Sequence, residues 1–420
     1  MIYSFVISAR AYRISENSFA MESAFCEHIR TLKAMLAPRF SHFIIFAVGM
    51  TSAEYEKIKS SLGIINEEQE QISMMILYDA DISSSKFWLS RFIPLLNEVY
   101  QVVRKSDLIH SHYAHNLTRP IEFSSLIFGV LTGKKTISVT DIDLRRDAEM
   151  NFYLKKWSLK SYLICKYIYD PIRVLQHWFI VRFCSLALFK EQKLCDDYGR
   201  GRTNVKLMLD PNFSQEYIIS NQAMESKIHA LSDPEQPLEL LYFGRLVYYK
   251  GVDRCIQALA QARNMGANNV HFSIIGSGEE ADNLRTLVKE LNLEDYVTFH
   301  PPIPYGETFL EKLRYFHLML ATPLSGDTPR STWDAIASGI PVLAFDTPFY
   351  KSMSVYTGAV DVVPWPSVEH LAKRIEYYSR NKAELVPMVR KAVAVSHENT
   401  QEIWLQKRVD WTNELFESVQ

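Results

Sequence analysis

Two cations follow an apolar run near the middle of the chain. The sequence there reads Phe243-Gly244-Arg245-Leu246-Val247-Tyr248-Tyr249-Lys250-Gly251. Arginine can fork onto two phosphate oxygens, whereas lysine acts as a compact point charge. Glycines beside both cations let the backbone approach a ligand closely. The pattern suits the binding of a diphosphate, although two solvated loop cations explain the spacing alone equally well.

A second cluster places a Gly-x-Gly turn between a predicted strand at 271–275 and a predicted helix at 279–291. The turn is Gly276-Ser277-Gly278. Strand, Gly-x-Gly and helix in this order are typical of nucleotide sites, because helix N-terminal amides attract phosphate. The turn lacks the third glycine of a dinucleotide fingerprint, and such a turn often serves only to join its two elements.

A third cluster is a polar loop that leads into a predicted helix. Residues 322–334 read Thr-Pro-Leu-Ser-Gly-Asp-Thr-Pro-Arg-Ser-Thr-Trp-Asp. We expect Ser331, Thr332 and Asp334 in the first helical turn, where free amides can hold phosphate oxygens and an acid can accept bonds from ribose hydroxyls. The alternative is that Asp334 only complements the helix dipole, a contribution of about 0.3–1 kcal/mol.

Histidines at 110, 112 and 115 mark a strand end in the first half of the chain. A metal site there needs a further ligand and a geometry that the sequence does not show. The competing interpretation is that these side chains satisfy buried backbone groups. Asp141-Ile142-Asp143 follows another predicted strand, and we expect no metal at that position either.

These clusters need elements to hold them, and apolar runs alternate with helical patterns along the whole chain. The alternation predicts an α/β protein with two doubly wound domains and parallel sheets. We assign residues 1–215 to the first domain, 216–237 to a polar linker, 238–396 to the second domain and 397–420 to a terminal helix. Predicted strands of the second domain lie at 238–243, 271–275, 297–299, 318–321 and 341–345. Residues 8–22 are interpreted as a long polar loop facing the cleft between the domains.

Composition excludes several classes of protein. The 420 residues are 47% hydrophobic and 22% charged, which is typical of a soluble globular protein rather than a disordered or collagenous one. A net charge of −2 argues against a protein that coats nucleic acid. Five scattered cysteines predict no disulfide framework and favour a reducing compartment. No apolar stretch is long enough for a transmembrane helix, and Ile2–Ile7 is interpreted as a buried strand rather than a signal peptide.

Residues 151–190 combine seven cations with one acid and ten aromatic residues. Basic, aromatic helices can lie on anionic membrane surfaces. The alternative, which we favour slightly, is a helix pair that packs its aromatic rings into the core and leaves its lysines in solvent. RNA binding is a weaker use of the same segment, because no recognised RNA-binding module accompanies it.

The three clusters together resemble the retaining nucleotide-sugar glycosyltransferases of the GT-B fold, specifically glycosyltransferase family 4 (group 1). The third cluster continues as Asp334-Ala335-Ile336-Ala337-Ser338-Gly339-Ile340-Pro341-Val342, similar to the family's acidic-Ala-x-Ala-x-Gly-x-Pro-Val element. The match spans most of 238–345, and Asp107–His112 resembles the family's Asp-apolar-apolar-His-x-His strand end. The resemblance implies two Rossmann-like domains facing a central cleft, with the C-terminal helix crossing back to the first domain.

The resemblance also implies roles for single residues. Arg245 and Lys250 would neutralise the donor's diphosphate as it leaves. Asp334 matches the second of two family glutamates and would bind the ribose hydroxyls. The first glutamate, which contacts the donor sugar, falls at Gly326. Asp327 is one residue off register and would substitute for it if the loop shifts. The other nucleotide-binding candidates are Gly244, Gly276, Gly278, Arg330, Ser331 and Thr332, and the candidate active-site histidine is His112.

The expected activity is transfer of a sugar from a nucleoside-diphosphate donor, with retention, onto a glycan or lipid-linked glycan in surface or exopolysaccharide biosynthesis. UDP is preferred over GDP by family frequency. The resemblance implies no required metal and no cofactor beyond the donor. We expect a cytoplasmic protein with no nucleic-acid partner, and leave open a peripheral membrane contact through 151–190. Alternatives are a non-catalytic relative that acts as a partner subunit, suggested by Gly326, and a sugar-nucleotide epimerase or phosphorylase on the same fold.

Overall fold

The computed structural model describes residues 1–113 and 116–417, and His115 lies outside the described residues. The described strands are β1 (Ile2–Ser15), β2 (Ser18–Glu22), β3 (His42–Gly49), β4 (Leu62–Asn66), β5 (Ile72–Asp79), β6 (Leu108–His112), β7 (Lys135–Thr140), β8 (Leu186–Phe189), β9 (Val205–Leu207), β10 (Leu238–Phe243), β11 (Val270–Ile275), β12 (Val297–His300), β13 (Leu318–Ala321), β14 (Val342–Phe345) and β15 (Val360–Val363).

Helices cover both faces of the sheets. They are α1 (Ser23–Leu36), α2 (Ser52–Ile58), α3 (Glu67–Glu70), α4 (Ser84–Lys86), α5 (Phe92–Lys105), α6 (Ile121–Leu131), α7 (Asp147–Tyr153), α8 (Leu159–Ile164), α9 (Asp170–Phe183), α10 (Gln192–Tyr198), α11 (Asn221–Ser232), α12 (Val252–Asn264), α13 (Ala281–Glu290), α14 (Glu307–Leu313), α15 (Arg330–Ala337), α16 (Pro348–Thr357), α17 (Val368–Arg380), α18 (Val386–His397) and α19 (Gln401–Glu414). A π-helical turn at Cys165–Tyr169 joins α8 to α9.

The C-terminal domain is built on a parallel sheet in the order β12-β11-β10-β13-β14-β15. Every residue of β10, β13 and β14 is buried, because helices cover the sheet on both sides. The strand order reverses between β10 and β13, and ligands of such sheets bind in the crevice outside that point.

The N-terminal domain has a parallel path in the order β5-β3-β1-β6-β7-β8-β9. Strands β6 and β7 end towards the C-terminal domain, and their end residues line the cavity between the domains described below. The expected architecture of two parallel-sheet, Rossmann-like domains facing a cleft is confirmed.

The interpretation of residues 8–22 as a polar loop is wrong. Strand β1 continues to Ser15 and returns as the antiparallel strand β2, with Tyr12 opposite Ala20. Strand β4 then adds to β2. Phe19, Ala20 and Met21 are all buried in the domain core, so β2 is a strand of the sheet and not a solvated loop.

The predicted linker at 216–237 also differs in the structure, because most of it forms helix α11. The Ser220 hydroxyl caps this helix by accepting a bond from the Ala223 amide. Met224 and Leu231 are buried against the C-terminal domain. Their seven-residue separation puts both on one helix face, and the polar residues between them hid this pattern.

The terminal helix is shorter than the predicted 397–420, since α18 ends at His397 and α19 covers Gln401–Glu414. Helix α18 packs on the C-terminal domain against α15 and α11. Helix α19 packs on the N-terminal domain, where Val409 and Trp411 join the core cluster. The chain therefore crosses back to its first domain.

Six of the ten aromatic residues in 151–190 are exposed, so the favoured packing interpretation is wrong for most of them. On α8, α9 and the turn between them, Tyr167 is 68% exposed, Leu175 64% and Trp178 52%. Gln176 and Ile180 are buried on the opposite face. No helix among the described residues has the length and apolar character needed to cross a bilayer.

Candidate functional site

A cavity of about 240 Å³ opens at the carboxyl ends of β10 and β13. Its walls include five of the candidate residues, which are Gly244, Arg245, Lys250, Asp327 and Ser331. We call this space the C-terminal cavity. The sequence clusters that begin at 243 and at 322 thus meet in one site, as expected for the switch point of a parallel sheet.

Close packing of two loops positions Arg245. The Leu246 amide donates to the Ser277 carbonyl at 2.8 Å, so the loop after β10 is tied to the loop after β11. A Cβ atom on Gly276 would lie 2.0 Å from the Gly244 carbonyl oxygen, and one on Gly278 would lie 2.2 Å from the Leu246 carbonyl oxygen. Both glycines therefore permit the loop contact, and neither lines the cavity.

Lys250 is held by the same kind of close approach. Gly251 has a φ of +66°, and a Cβ atom there would lie 2.0 Å from the Thr322 carbonyl oxygen. The Lys250 ammonium forms a short ion pair with Asp327, with both side chains largely buried. Arg245 is exposed and donates to the Tyr249 hydroxyl at 2.7 Å. One cation thus lies deep in the cavity with an acid beside it, and the other lies at its mouth.

Helix α15 begins at Arg330, so Asp334 is its fifth residue and does not lie in the first turn as expected. The Asp334 side chain is buried and accepts a bond from the Tyr305 hydroxyl at 3.0 Å. Burial raises the pKa of Asp334 to about 7, although Tyr305 and Arg330 act in the opposite direction. The Thr332 hydroxyl is fully buried, 3.0 Å from the Tyr350 hydroxyl. Asp334 and Thr332 therefore lie behind the cavity wall.

Gly326 contacts an acid from the other domain. Its amide donates to the Asp147 carboxylate of α7 at 2.8 Å. A Cβ atom on Gly326 would lie 3.1 Å from the same carboxylate oxygen. Burial raises the pKa of Asp147 to about 6, and the bond from Gly326 partly offsets this. The N-terminal domain thus places a carboxylate beside the position where a side chain is missing.

A second cavity, of about 270 Å³, lies at the carboxyl ends of the N-terminal strands. We call it the N-terminal cavity. It is lined by residues of β1, β6 and β7, by Arg330 of the C-terminal domain and by Arg408 of α19; the charged and histidine side chains in its wall are Glu22, His28, His110, His112, Asp141, Lys190, Asp210, Arg330 and Arg408. Arg330 lines this cavity, whereas its neighbour Ser331 lines the C-terminal one.

A chain of charged contacts crosses the cleft through this cavity. His112 Nε2 lies 2.9 Å from Asp141, and Lys190 lies 2.8 Å from Asp141 and 2.9 Å from Asp210. Arg330 completes the chain at 2.8 Å from Asp210. Burial alone would raise the pKa of Asp141, but His112 and Lys190 hold it below its ordinary value. His112 is thereby fixed at the wall that faces the other domain.

Several residues of this site were not singled out from the sequence. Lys190 and Asp210 had a usable signal, since each is a charged residue just beyond a strand, β8 or β9. Asp147 and Arg408 had none. Their contacts reach 179 residues to Gly326 and 380 residues to His28, respectively, and no local pattern encodes such pairs.

Residues 224–394 match the family model described as glycosyl transferases group 1. The C-terminal domain is therefore similar to the glycosyl transferases of group 1. The match covers α11 to α18, and it contains both the Arg245-Lys250 element and the loop before α15.

Curated relatives match over less than half of this chain. A candidate colanic acid biosynthesis glycosyltransferase, WcaL, of Escherichia coli (strain K12) is 29% identical over 177 residues, which are 40% of this chain and 43% of the relative. The GtfA subunit of a UDP-N-acetylglucosamine–peptide N-acetylglucosaminyltransferase of Streptococcus pneumoniae serotype 4 (strain ATCC BAA-334 / TIGR4) is 24% identical over 169 residues, 37% of this chain and 33% of the relative. The chain spans less than half the length of these relatives.

Solved structures match along the whole chain at low identity. Anabaena HepE, solved in complex with UDP, superposes with a TM-score of 0.63 at 15% identity, covering 98% of this chain and 99% of HepE. WaaG, a glycosyltransferase involved in lipopolysaccharide biosynthesis, superposes with a TM-score of 0.58 at 14% identity, covering 97% and 98% of the two chains. The chain has the GT-B fold.

Proposed function

We propose that this chain is a retaining glycosyltransferase. It moves a sugar from a nucleoside-diphosphate donor, with UDP preferred, onto a glycan or lipid-linked glycan acceptor of a surface or exopolysaccharide. The observation that carries the proposal is the pair of cavities on either side of residues 327–331. One holds Arg245 and Lys250, and the other faces it from the first domain.

The C-terminal cavity suits a diphosphate leaving group. Breaking a sugar–phosphate bond places negative charge on the diphosphate, and cations fixed in advance stabilise that charge where it develops. Lys250 would shift its ion pair from Asp327 towards a phosphate oxygen, and Arg245 would close over the diphosphate from the mouth of the cavity. We propose that these two side chains supply the positive charge without a metal or another cofactor.

The nucleoside would lie along the N-terminal end of α15. Ser331 lines the cavity there, and Asp334 lies behind it with Tyr305. A ribose hydroxyl would replace the Tyr305 hydroxyl as the donor to Asp334. It would favour the ionised carboxylate, whose pKa burial has raised to about 7. UDP preference rests on similar proteins, since HepE is solved with UDP and the GtfA subunit is named for a UDP-sugar.

The missing glutamate at Gly326 has a substitute in this arrangement. Asp327 is already paired with Lys250. The Asp147 carboxylate lies against the Gly326 amide, beside the position that a longer side chain would occupy. We propose that Asp147, supplied by the first domain, takes the place of the carboxylate that contacts the donor sugar.

A thermal-shift screen of the full chain with UDP, GDP, ADP and their sugars tests the function. We expect UDP to raise the melting temperature most, with about 2.7 kcal/mol of added stability at a hundredfold excess over its dissociation constant. Incubation of the best sugar conjugate with acceptors, followed by NMR of the product's anomeric proton, then tests retention. A cooperatively melting protein that no nucleotide stabilises would favour the non-catalytic alternative.

We also propose that the exposed face of α8, α9 and the turn between them contacts an anionic membrane surface. This apolar stripe consists of Leu159, Leu163, Tyr167, Ile168, Ile172, Leu175 and Trp178, all more than a third exposed. Apart from the adjacent pair Tyr167 and Ile168 in the π-helical turn, its members recur every three or four residues, so they share one helix face. Exposed Lys160 and Arg182 lie near the two ends of the stripe. Apolar rings flanked by cations suit anionic headgroups.

Vesicle flotation tests this contact. We expect the protein to float with phosphatidylglycerol vesicles and to stay unbound with phosphatidylcholine alone. Leu175→Ser with Trp178→Ser should abolish flotation without unfolding the protein, because both side chains are more than half exposed. Val355→Ser, at an 89% exposed residue of the other domain, is the matched control. Flotation that survives the double substitution would contradict the proposal.

A further inference from the structure

An arginine of α19 is buried in the wall of the N-terminal cavity. Arg408 is only 7% exposed. Its Nη1 lies 3.1 Å from His28 Nε2, and its Nη2 lies 3.1 Å from His110 Nδ1. All three residues line the cavity. The terminal helix therefore contributes a charged group to the wall of the N-terminal cavity.

The two histidines do not compensate the charge of Arg408. A guanidinium group only donates hydrogen bonds, so both imidazole nitrogens that face it act as acceptors. Burial, and then the charge of Arg408, lower the pKa of His28 to about 3 and that of His110 well below its ordinary value. Both rings are thus neutral, and His110 carries its proton on Nε2.

Within this cluster, two buried donors have no hydrogen-bond partner among residues 1–113 and 116–417. They are Arg408 Nε and His110 Nε2. Within the same ranges, Arg408 forms no ion pair with a carboxylate, whereas Lys190 and Arg330 in the same wall both pair with Asp210. An unpaired buried cation and an unpaired buried donor are both costly, and an oxyanion satisfies them together.

We infer that Arg408, His110 and His28 form an anion subsite that binds an oxyanion, either a phosphate or a carboxylate, of the acceptor. Arg408 supplies the charge and its Nε–H. His110 donates through Nε2, and His28 holds the guanidinium in place. That an oxyanion binds here follows from the geometry, whereas its assignment to the acceptor rests on the proposed function.

The subsite is separate from the cations proposed for the donor. Arg245 and Lys250 line the C-terminal cavity, and neither lines the N-terminal one. Residues 327–331 lie between the two spaces, with Asp327 on one side and Arg330 on the other. An acceptor's oxyanion and a donor's diphosphate can therefore be bound at the same time.

Calorimetric titration of the full chain, first saturated with UDP, tests the subsite. Inorganic diphosphate and glucuronate are titrated in separate experiments. The first tests for binding of a phosphate and the second for binding of a carboxylate. We expect one of them to bind, and Arg408→Gln to weaken that binding at least tenfold. Lys407→Gln removes a positive charge from the next position on α19, whose side chain lies over Trp404, and should leave binding unchanged.

Arg408→Lys is the second variant, in case Arg408→Gln does not fold. It keeps the positive charge and the aliphatic part of the side chain but removes Nε–H. We expect it to weaken binding severalfold. Unchanged binding in both Arg408 variants, or no oxyanion binding to a protein that binds UDP, would overturn the inference. The protein could instead bind the oxyanion through Arg408 and fail to bind UDP. That result would support the subsite and contradict the proposed function.

Discussion

At the residue scale, the site depends on a few groups whose environments shift their chemistry. Asp334 shows this best, because it is an acid whose burial favours the neutral form. Its folded pKa of about 7 lies above the ordinary value of 3.8. Such a group is protonated below about pH 7, and a ligand that donates to the carboxylate must first displace that proton.

Donor binding should therefore depend on pH. We expect the affinity for UDP-glucose to increase as the pH is raised towards about 7 and to level off above it. The increase should be at most about tenfold per pH unit. A nucleotide sugar is the right probe, because its phosphates are both esterified and do not titrate in this range. Calorimetry between about pH 5.5 and 8.5 measures the effect. Asp334→Asn should flatten the profile, and a slope that persists in this variant would contradict the assignment.

Asp147 should act on the sugar and not on the nucleotide. We expect Asp147→Asn to lower kcat/KM for transfer by about tenfold or more, while the UDP dissociation constant stays within a factor of two, because the amide keeps the shape but loses the charge. Glu149→Gln, on the exposed side of the same helix, is the control. Weakened UDP binding in Asp147→Asn would instead indicate a role in holding the domains together.

At the element scale, the sequence predicts the parallel strands best. The runs at 238–243 and 318–321 match β10 and β13 to the residue, because strands buried on both faces read as continuous apolar segments. The hairpin of β1 and β2 was missed because the polar residues around its turn at 15–18 were read as a loop, although residues 19–21 directly after them are buried. Helix α11 was missed because its buried face is narrow.

Helix α11 should behave as part of the C-terminal domain. Leu231 is 1% exposed and belongs to that core. We expect Leu231→Ala to lower the free energy of unfolding by about 2–5 kcal/mol, because it removes buried methyl groups and leaves a cavity. Urea denaturation measures this, with Gln222→Ala at an exposed position of the same helix as the control. A change below about 0.5 kcal/mol would mean that α11 acts as a linker.

At the scale of the whole molecule, the two domains meet through polar contacts that also line the cavities. Arg330 reaches Asp210, and Gly326 reaches Asp147. The sequence indicated the C-terminal half of the site, because its residues lie close together in three local clusters. In the N-terminal cavity the sequence indicated His112 and Arg330. The fold alone revealed His28, Lys190, Asp210 and Arg408, which are distant in sequence and meet at one edge of the first sheet.

The central claim is that the C-terminal cavity binds a nucleoside diphosphate through Arg245 and Lys250. The most direct measurement is a calorimetric titration of UDP into the wild-type protein and the Arg245→Ala, Lys250→Ala double variant. Lys289→Ala, at an exposed position of the same domain, is the control. We predict that wild type and control bind UDP equally, and that the double variant binds at least a hundredfold more weakly. Equal binding by all three proteins would contradict the account.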